Sequence, residues 1–412
     1  MSWKKKYERN WGRLGMKYKT YTMEDALEAI IDYRGKTPKK SEKGIPTLSA
    51  KSVKNNHIDY DSCYYISSDE YKRFMVRGLP QIGDVLLTTE APLGMVAQLD
   101  RHDVGIAQRL LTLRGKQGIL DNEYLLYYLQ SPIGQALLRA RETGTTVTGI
   151  KQSEFRKIQI DIPDIENQRK IGGILRGLDD KIAVNNSINK NLEQQIEAIL
   201  LSFIENTTSN TVKLGDYLYI KGRIGWKGLK KEEYLEHSDY RIINGESLTK
   251  AGIDWSKAGY ISQARYDESP EIMLQNGDIL LSKDGTIGKI GYIDSLSAPT
   301  TVASGIFVIR NLQPNIISTT FIYYLLKSQL FTAFIAARTE GSVIPHLYQK
   351  DFLQFEFPLP DKKEMENFEG LTAPMFSLIV SNLNENVRLA HVRDNLLTRL
   401  MSGEIDISAV DL

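Results

Sequence analysis

The chain is poor in the residues that carry the most legible chemistry. Its single cysteine, Cys63, excludes an internal disulfide and any cysteine-based zinc site, and fits a reducing compartment such as the cytoplasm. The 5 histidines are dispersed, with no His-Glu-x-x-His among them. There is no phosphate loop of the Gly-x-x-x-x-Gly-Lys-Ser/Thr kind and no Gly-x-Ser-x-Gly nucleophile elbow, so catalysis finds no home and no metal or cofactor is expected. Asp61 with Glu70-Tyr-Lys72 has the look of a metal-dependent nuclease spacing, but such scatter arises by chance in a chain that is 25% charged. No run of 18 apolar residues exists, and the opening Met1-Ser-Trp-Lys-Lys-Lys-Tyr-Glu-Arg-Asn10 lacks the apolar stretch of a signal peptide. A soluble, unexported protein without a membrane partner is expected.

What is there is ordinary globular material, 42% hydrophobic, in a chain of 412 residues. That length suits two domains plus connecting structure. With 52 Lys and Arg against 51 Asp and Glu, the net charge of +1 gives no general attraction to a polyanion. Local patterning has more to say. Lys4 to Lys19, Arg34 to Lys54 and Lys213 to Lys231 are basic stretches, and an isolated run of this kind is ordinarily a solvated face.

An internal repeat raises their interest. Gly83-Asp-Val-Leu-Leu87 recurs as Gly277-Asp-Ile-Leu-Leu281, Gly94 as Gly288, and Asp100 as Asp294. Further on, Tyr127-Tyr-Leu129 recurs as Tyr323-Tyr-Leu325, and Gln152 with Phe155 as Gln349 with Phe352. The order is kept with a small drift, as loop insertions produce, and the period is far too long for a stacking solenoid. Each copy predicts strands at Val85 to Thr89, Met95 to Leu99 and Arg109 to Arg114, or Ile279 to Ser282, Lys289 to Ile293 and Gly305 to Arg310. A helix capped by Asp121, or one from Thr319, follows; a polar loop then leads to a strand ending in Ile162-Pro163 or Leu359-Pro360. Each copy is therefore a mixed α+β domain. Gly285, Gly288 and Gly291 beside Lys283 and Lys289 read as a β-turn, not a phosphate cradle.

Each copy is followed by a long amphipathic stretch. From Glu166 to about Asn206, Ile171, Leu175, Leu178, Ile182, Ile188, Leu192, Ile196, Ile199 and Phe203 recur mostly every three or four residues. Between Glu364 and Met401, Phe368, Leu371, Met375, Leu378, Leu383, Val387, Leu389, Leu396 and Leu400 do the same. Forty residues of helix span roughly 60 Å, so each stripe needs another long partner, and the two are expected to pair as a coiled coil. Pro374 is expected to kink or restart the second. Asn185, Asn382 and Asn386 fall on or beside the stripes, where Asn either fixes register or lies at a solvated edge.

Taken together, the repeat, the helices and three motifs resemble the specificity subunit of type I restriction-modification systems. The motifs are the run from Asn384-Glu-Asn-Val-Arg-Leu to Met401-Ser-Gly-Glu-Ile405, Asp32-Tyr-Arg-Gly-Lys-Thr-Pro38 opening copy one, and Gly222-Arg-Ile-Gly-Trp-Lys-Gly228 opening copy two. The resemblance covers nearly the whole chain from Tyr21. Two departures stand out: the family's Glu-Gln pair reads Asn167-Gln168 here, and copy two has Met365 in place of the Gln. The resemblance implies two target recognition domains joined by two long antiparallel helices. It further implies a bipartite double-stranded DNA target, two modification (methyltransferase) subunits, and restriction subunits in the full complex. The chain has no Pro-Pro-Tyr/Phe clamp of an adenine methyltransferase, so methylation and cleavage fall to those partners. The expected layout is a basic segment 1–20, a first recognition domain 21–164, a helix 165–206, a second domain 207–360, a helix 361–404 and a tail 405–412. The rival reading is a duplicated protein-binding scaffold with a helical spacer.

DNA demands Lys, Arg and hydroxyl groups for phosphates, and Arg, Lys, Asn or Gln for base edges. The openings of the two copies offer Arg34, Lys36, Lys39 and Lys40 against Arg223, Trp226, Lys227, Lys230 and Lys231. The later loops offer Thr143, Thr145, Thr146 and Lys151 against Ser342, His346 and Tyr348, and Lys283 lies beside the second hairpin.

Overall fold

In a computed structural model, described for residues 16–143, 148–207, 211–224, 228–250, 252–339 and 346–407, the chain forms two compact units. Unit 1 comprises Met1–Val184 with Glu385–Leu412, and unit 2 Asn185–Asn384. Both have the same architecture. In unit 1 an antiparallel sheet runs Leu27–Asp32, Leu110–Gly115, Val85–Thr88, Val96–Gln98. In unit 2 the same order is Leu218–Gly222, Ile306–Asn311, Ile279–Ser282, Ile290–Tyr292. The repeated Gly-Asp-Val/Ile-Leu-Leu motif is the entry to a central strand covered on both faces. Val85 and Leu87 point into one core cluster and Leu86 into another; Ile279 and Leu281 are likewise separated from Leu280.

The motif's aspartate has a structural task. Asp84 accepts Nε and Nη2 of Arg114, both at 2.8 Å, and Asp278 accepts the same atoms of Arg310 at 2.7 and 2.8 Å. Its second oxygen also takes the amide of Gln81 (2.8 Å) or Gln275 (2.7 Å). Each buried carboxylate thus ties the turn before one strand to the neighbouring strand, and hydrogen bonding to it raises the guanidinium pKa of Arg114 and Arg310.

Against one sheet face lie the paired helices Asn122–Gln130 and Pro132–Arg139, or Thr319–Lys327 and Gln329–Thr339. Asp121 caps the first of these through the amides of Glu123 and Tyr124, and Ser318 caps its counterpart through Phe321. A smaller sheet with one parallel pairing recurs as well: Gly105–Ile106 beside Ile45–Leu48, and Thr300–Val302 beside Tyr240–Ile243. A two-stranded ladder closes each unit, Tyr18–Thr22 with Gln159–Pro163 and Thr211–Lys213 with Glu356–Pro358. The last strand of copy two ends earlier than the Leu359-Pro360 expected from sequence.

The two long helices are Ile165–Asn206 and Lys362–Met401. In unit 2, Phe203 meets Phe368 edge to face at 5.7 Å, and Asn189 accepts from Asn382 at 2.8 Å while donating to the Ile379 carbonyl at 3.3 Å. Later residues of one helix therefore meet earlier residues of the other, which is antiparallel pairing. In unit 1 the helices also meet, where Arg393 binds Asp179 at 2.7 Å and Ile171 and Leu175 share a core cluster with Leu397 and Leu400. Pro374 lies inside the helix, which continues unbroken on both sides of it, so it does not restart the helix. One lost amide donor is outweighed by the packing of Phe368, Phe376 and Ile379 on either side.

The stripes hold only in part. Ile171, Leu175 and Ile196 of the first expected stripe and Phe368 and Leu400 of the second are buried, but so are Asn185, Asn189, Thr372, Phe376, Ile379 and Asn382, whereas Ile188, Leu371, Leu378, Leu383 and Val387 are exposed. Two apolar rows run side by side, and a step of three or four does not say which is inward. Gln168 is wholly buried; its Nε2 donates to the carbonyls of Ile119 and Pro163, each at 2.8 Å, and its Oε1 accepts the Asp121 amide at 2.9 Å. Its counterpart Met365 sits in an apolar core. Among the described residues no single helix is long and apolar enough to cross a membrane.

Candidate nucleic-acid interface

At one end of the central sheet of unit 1, three segments converge. The strand Val85–Thr88 runs into a turn pinned by Thr88, whose Oγ1 donates to the Pro92 carbonyl (2.6 Å) and accepts the Met95 amide (2.9 Å). Thr89 then joins the other two segments: its amide donates to Arg109 O at 3.0 Å, and its carbonyl accepts from Ile150 N at 2.9 Å. Unit 2 repeats this. Ser282 bonds Thr286 O (2.7 Å) and Lys289 N (2.8 Å), and Lys283 is joined to Gly305 and Leu347, each at 2.8 Å.

The side chains at these equivalent edges differ. In unit 1, Glu90 pairs with Arg109 Nε at 2.7 Å and lies 3.9 Å from Arg34, whose guanidinium also reaches the Ile150 carbonyl at 3.5 Å. In unit 2 the matching carboxylate, Asp284, is engaged by His346 Nδ1, and the His346 ring stands edge-on to Tyr348 at 4.4 Å. Lys283 Nζ lies 5.2 Å from the centre of the Phe307 ring. One scaffold thus presents two different polar surfaces, each able to donate to phosphates or to base edges.

Of the residues expected from sequence, Arg34 and Thr143 meet at the edge in unit 1, where Thr143 exchanges backbone hydrogen bonds with Gly149 at 2.8 and 3.1 Å. Lys151, exposed, begins the adjoining short helix Gln152–Arg156. Exposed Lys36, Lys39 and Lys40 belong to the neighbouring segment, which Gln108 joins through Thr37 at 3.2 Å. Lys40 rests 4.8 Å from the Tyr64 ring centre, and the Lys39 amide is taken by Glu70 at 2.9 Å. Lys283, His346 and Tyr348 meet in unit 2. Lys230 and Lys231 are exposed instead at the turn Lys231–Glu233, which Arg265 grips through Glu233 at 3.0 Å. Thr145, Thr146, Trp226, Lys227 and Ser342 lie outside the described residues.

Arg223 contradicts its assignment. It is 2% exposed, with Nε donating to the Val302 carbonyl at 3.0 Å, and desolvation lowers its pKa. Strand register explains the slip: Asp32 pairs with Leu111, and Gly222 with the equivalent Phe307. Arg223 is therefore the counterpart of buried Tyr33, not of Arg34, and one residue's shift exchanges core for surface.

Sequence reasoning passed over Glu90, Arg109 and Asp284. A signal existed, since Glu90 and Asp284 stand at matching places after the repeated strand. Arg109 was harder to see because its backbone conformation is what marks it: φ is 72°, against 88° at the matching Gly305.

A duplicated α+β fold with divergent polar edges and paired long helices defines a class of two-site recognition proteins. The model for the type I restriction modification DNA specificity domain matches residues 17–194 and 206–373, and the chain belongs to that family. It is similar to the MjaIX specificity subunit of a type I restriction enzyme from Methanocaldococcus jannaschii, 24% identical over 88% of this chain and 87% of the relative. The MjaVIII specificity subunit from the same organism is 22% identical over 73% of this chain and 74% of that one. Among solved structures, the type I restriction-modification S subunit from M. genitalium shares the fold, with a TM-score of 0.59 at 18% identity over 94% of this chain and 97% of its own. The chain is thus a non-catalytic specificity subunit, the DNA-recognising component of a type I restriction-modification complex.

Proposed function

We propose that each unit reads one half of a bipartite duplex through the edge where its three segments converge, and that the helices set the distance between halves. The observation that carries this reading is the recurrence of one hydrogen-bonded edge with unlike side chains, Glu90, Arg109 and Arg34 against Asp284, His346 and Tyr348. Unlike side chains on a common scaffold call for two different half-sites rather than a palindrome. Arg34, Lys36, Lys39, Lys40, Thr143, Lys151, Lys230, Lys231, Lys283, His346 and Tyr348 remain the candidate contacts, with the basic ones weighted toward phosphates.

Two modification subunits are the partners of this reading, joined by restriction subunits for cleavage. Support comes from the outer apolar row of the long helices: Leu371 and Leu378 in unit 2, and Val387 and Val392 in unit 1, are about half exposed. Such side chains on a long helix suit a protein partner.

The test is binding of the full chain with its modification subunits to a pool of random duplexes, followed by sequencing of the bound fraction. Two unlike motifs at constant spacing are expected, with affinity falling steeply as salt rises. Retention of all duplexes equally would overturn the reading.

A further inference from the structure

Arg109 occupies backbone that L side chains adopt rarely, at φ 72°, where unit 2 has Gly305 at 88°. A non-glycine residue there carries strain, and strain held by its surroundings marks function more often than chance. The surroundings are visible. Arg109 O accepts the Thr89 amide at 3.0 Å, and Arg109 Nε is fixed by Glu90 Oε1 at 2.7 Å. Glu90 in turn is held by a bridge to Gly149 and by the approach of Arg34.

The Arg109 side chain nevertheless remains 53% exposed, while Glu90 is 25% exposed. A guanidinium oriented through Nε and open to solvent is the arrangement that matches O6 and N7 of guanine, because a planar donor pair must be aimed before it meets the base. A carboxylate in the middle of a DNA-facing edge otherwise repels the phosphates. Its presence is explained if it aims the arginine.

We propose that Arg109 reads a guanine in the half-site of unit 1 and that Glu90 is its positioning residue. The inference rests on the proposed reading of this edge as a DNA contact. Unit 2, with Gly305 and an Asp284–His346 pair at the same place, reads its base at this position by another donor set.

The experiment is a competition assay with the full chain and its modification subunits, using duplexes in which each position of the first half-site is changed singly. Arg109→Gly is the central variant, since Gly is the residue that unit 2 uses there and it removes strain along with the side chain. It is expected to melt no lower than the parent and to lose roughly 10- to 100-fold discrimination at one guanine, with the second half-site unchanged. Arg109→Lys keeps the charge but not the fork and is expected to restore little of the discrimination. Glu90→Gln is expected to relax the same position less. Uniform weakening across all duplexes would make Arg109 a phosphate contact and overturn the proposal, as would no change at any position. If the parent itself fails to discriminate between duplexes, the reading of the edge falls instead.

Discussion

Among individual residues, the repeated aspartate is the one on which both units depend most alike. Asp84 is 1% exposed and Asp278 is fully buried. Replacing either by Asn keeps the volume but leaves its arginine without a charge partner. Asp84→Asn is expected to destabilise unit 1 by about 3 kcal/mol, the magnitude of breaking a buried pair from one side, measurable by urea melts of the full chain. A second expectation concerns Tyr18, whose phenol is pushed up to about 12 by burial and by the Asp406 carboxylate. Because the folded value lies above the ordinary 10, this group's stabilisation is complete below pH 10 and is lost as pH rises toward 12. Tyr18→Phe is expected to flatten part of the alkaline fall in melting temperature, with Tyr124 and Tyr128, also raised by burial, supplying the remainder; an identical profile would count against the assignment. The sequence marked Asp84 as part of a repeated motif but could not reveal its anchor, since Arg114 lies on another strand. It misjudged Arg223 because alignment by residue type ignores the register that makes it the counterpart of Tyr33.

Elements were far more legible than side-chain roles. Hydrophobic runs and caps placed the strands Val85–Thr88 and Ile279–Ser282, the helices after Asp121 and Ser318, and both long helices within a few residues. The inward face of those helices was legible only in part, since Ile171, Leu175, Ile196, Phe368 and Leu400 of the expected stripes are buried. Leu371 and Leu378 outrank Thr372 and Asn382 on any hydrophobic scale, yet the latter are buried. In unit 2 the buried Asn189–Asn382 hydrogen bond holds one register, since a slip would strand two amides in an apolar seam. The double variant Asn189→Leu with Asn382→Leu is expected to raise the denaturation midpoint while loosening the spacer preference of bound duplexes. A higher midpoint with an unchanged spacer preference would leave the pair a role in packing alone.

For the molecule as a whole, the duplication divides recognition from measurement. Each unit builds its own edge from its own sheet, so on the proposed reading the bases recognised depend on loops such as 89–94 and 283–288. The separation between half-sites depends on the helices, which pass from one unit to the other at 184/185 and 384/385. An insertion confined to one helix would break the antiparallel pairing seen within each unit, so the length must change in both. Four residues inserted at each of these two points lengthen each helix by about 6 Å at 1.5 Å per residue, close to two base-pair steps at roughly 3.4 Å. The expected outcome, read by sequencing the duplexes retained by the full complex, is a spacer longer by about two base pairs between the same two half-sites. A change in the half-sites themselves would mean that the helices shape the reading edges and do not merely separate them.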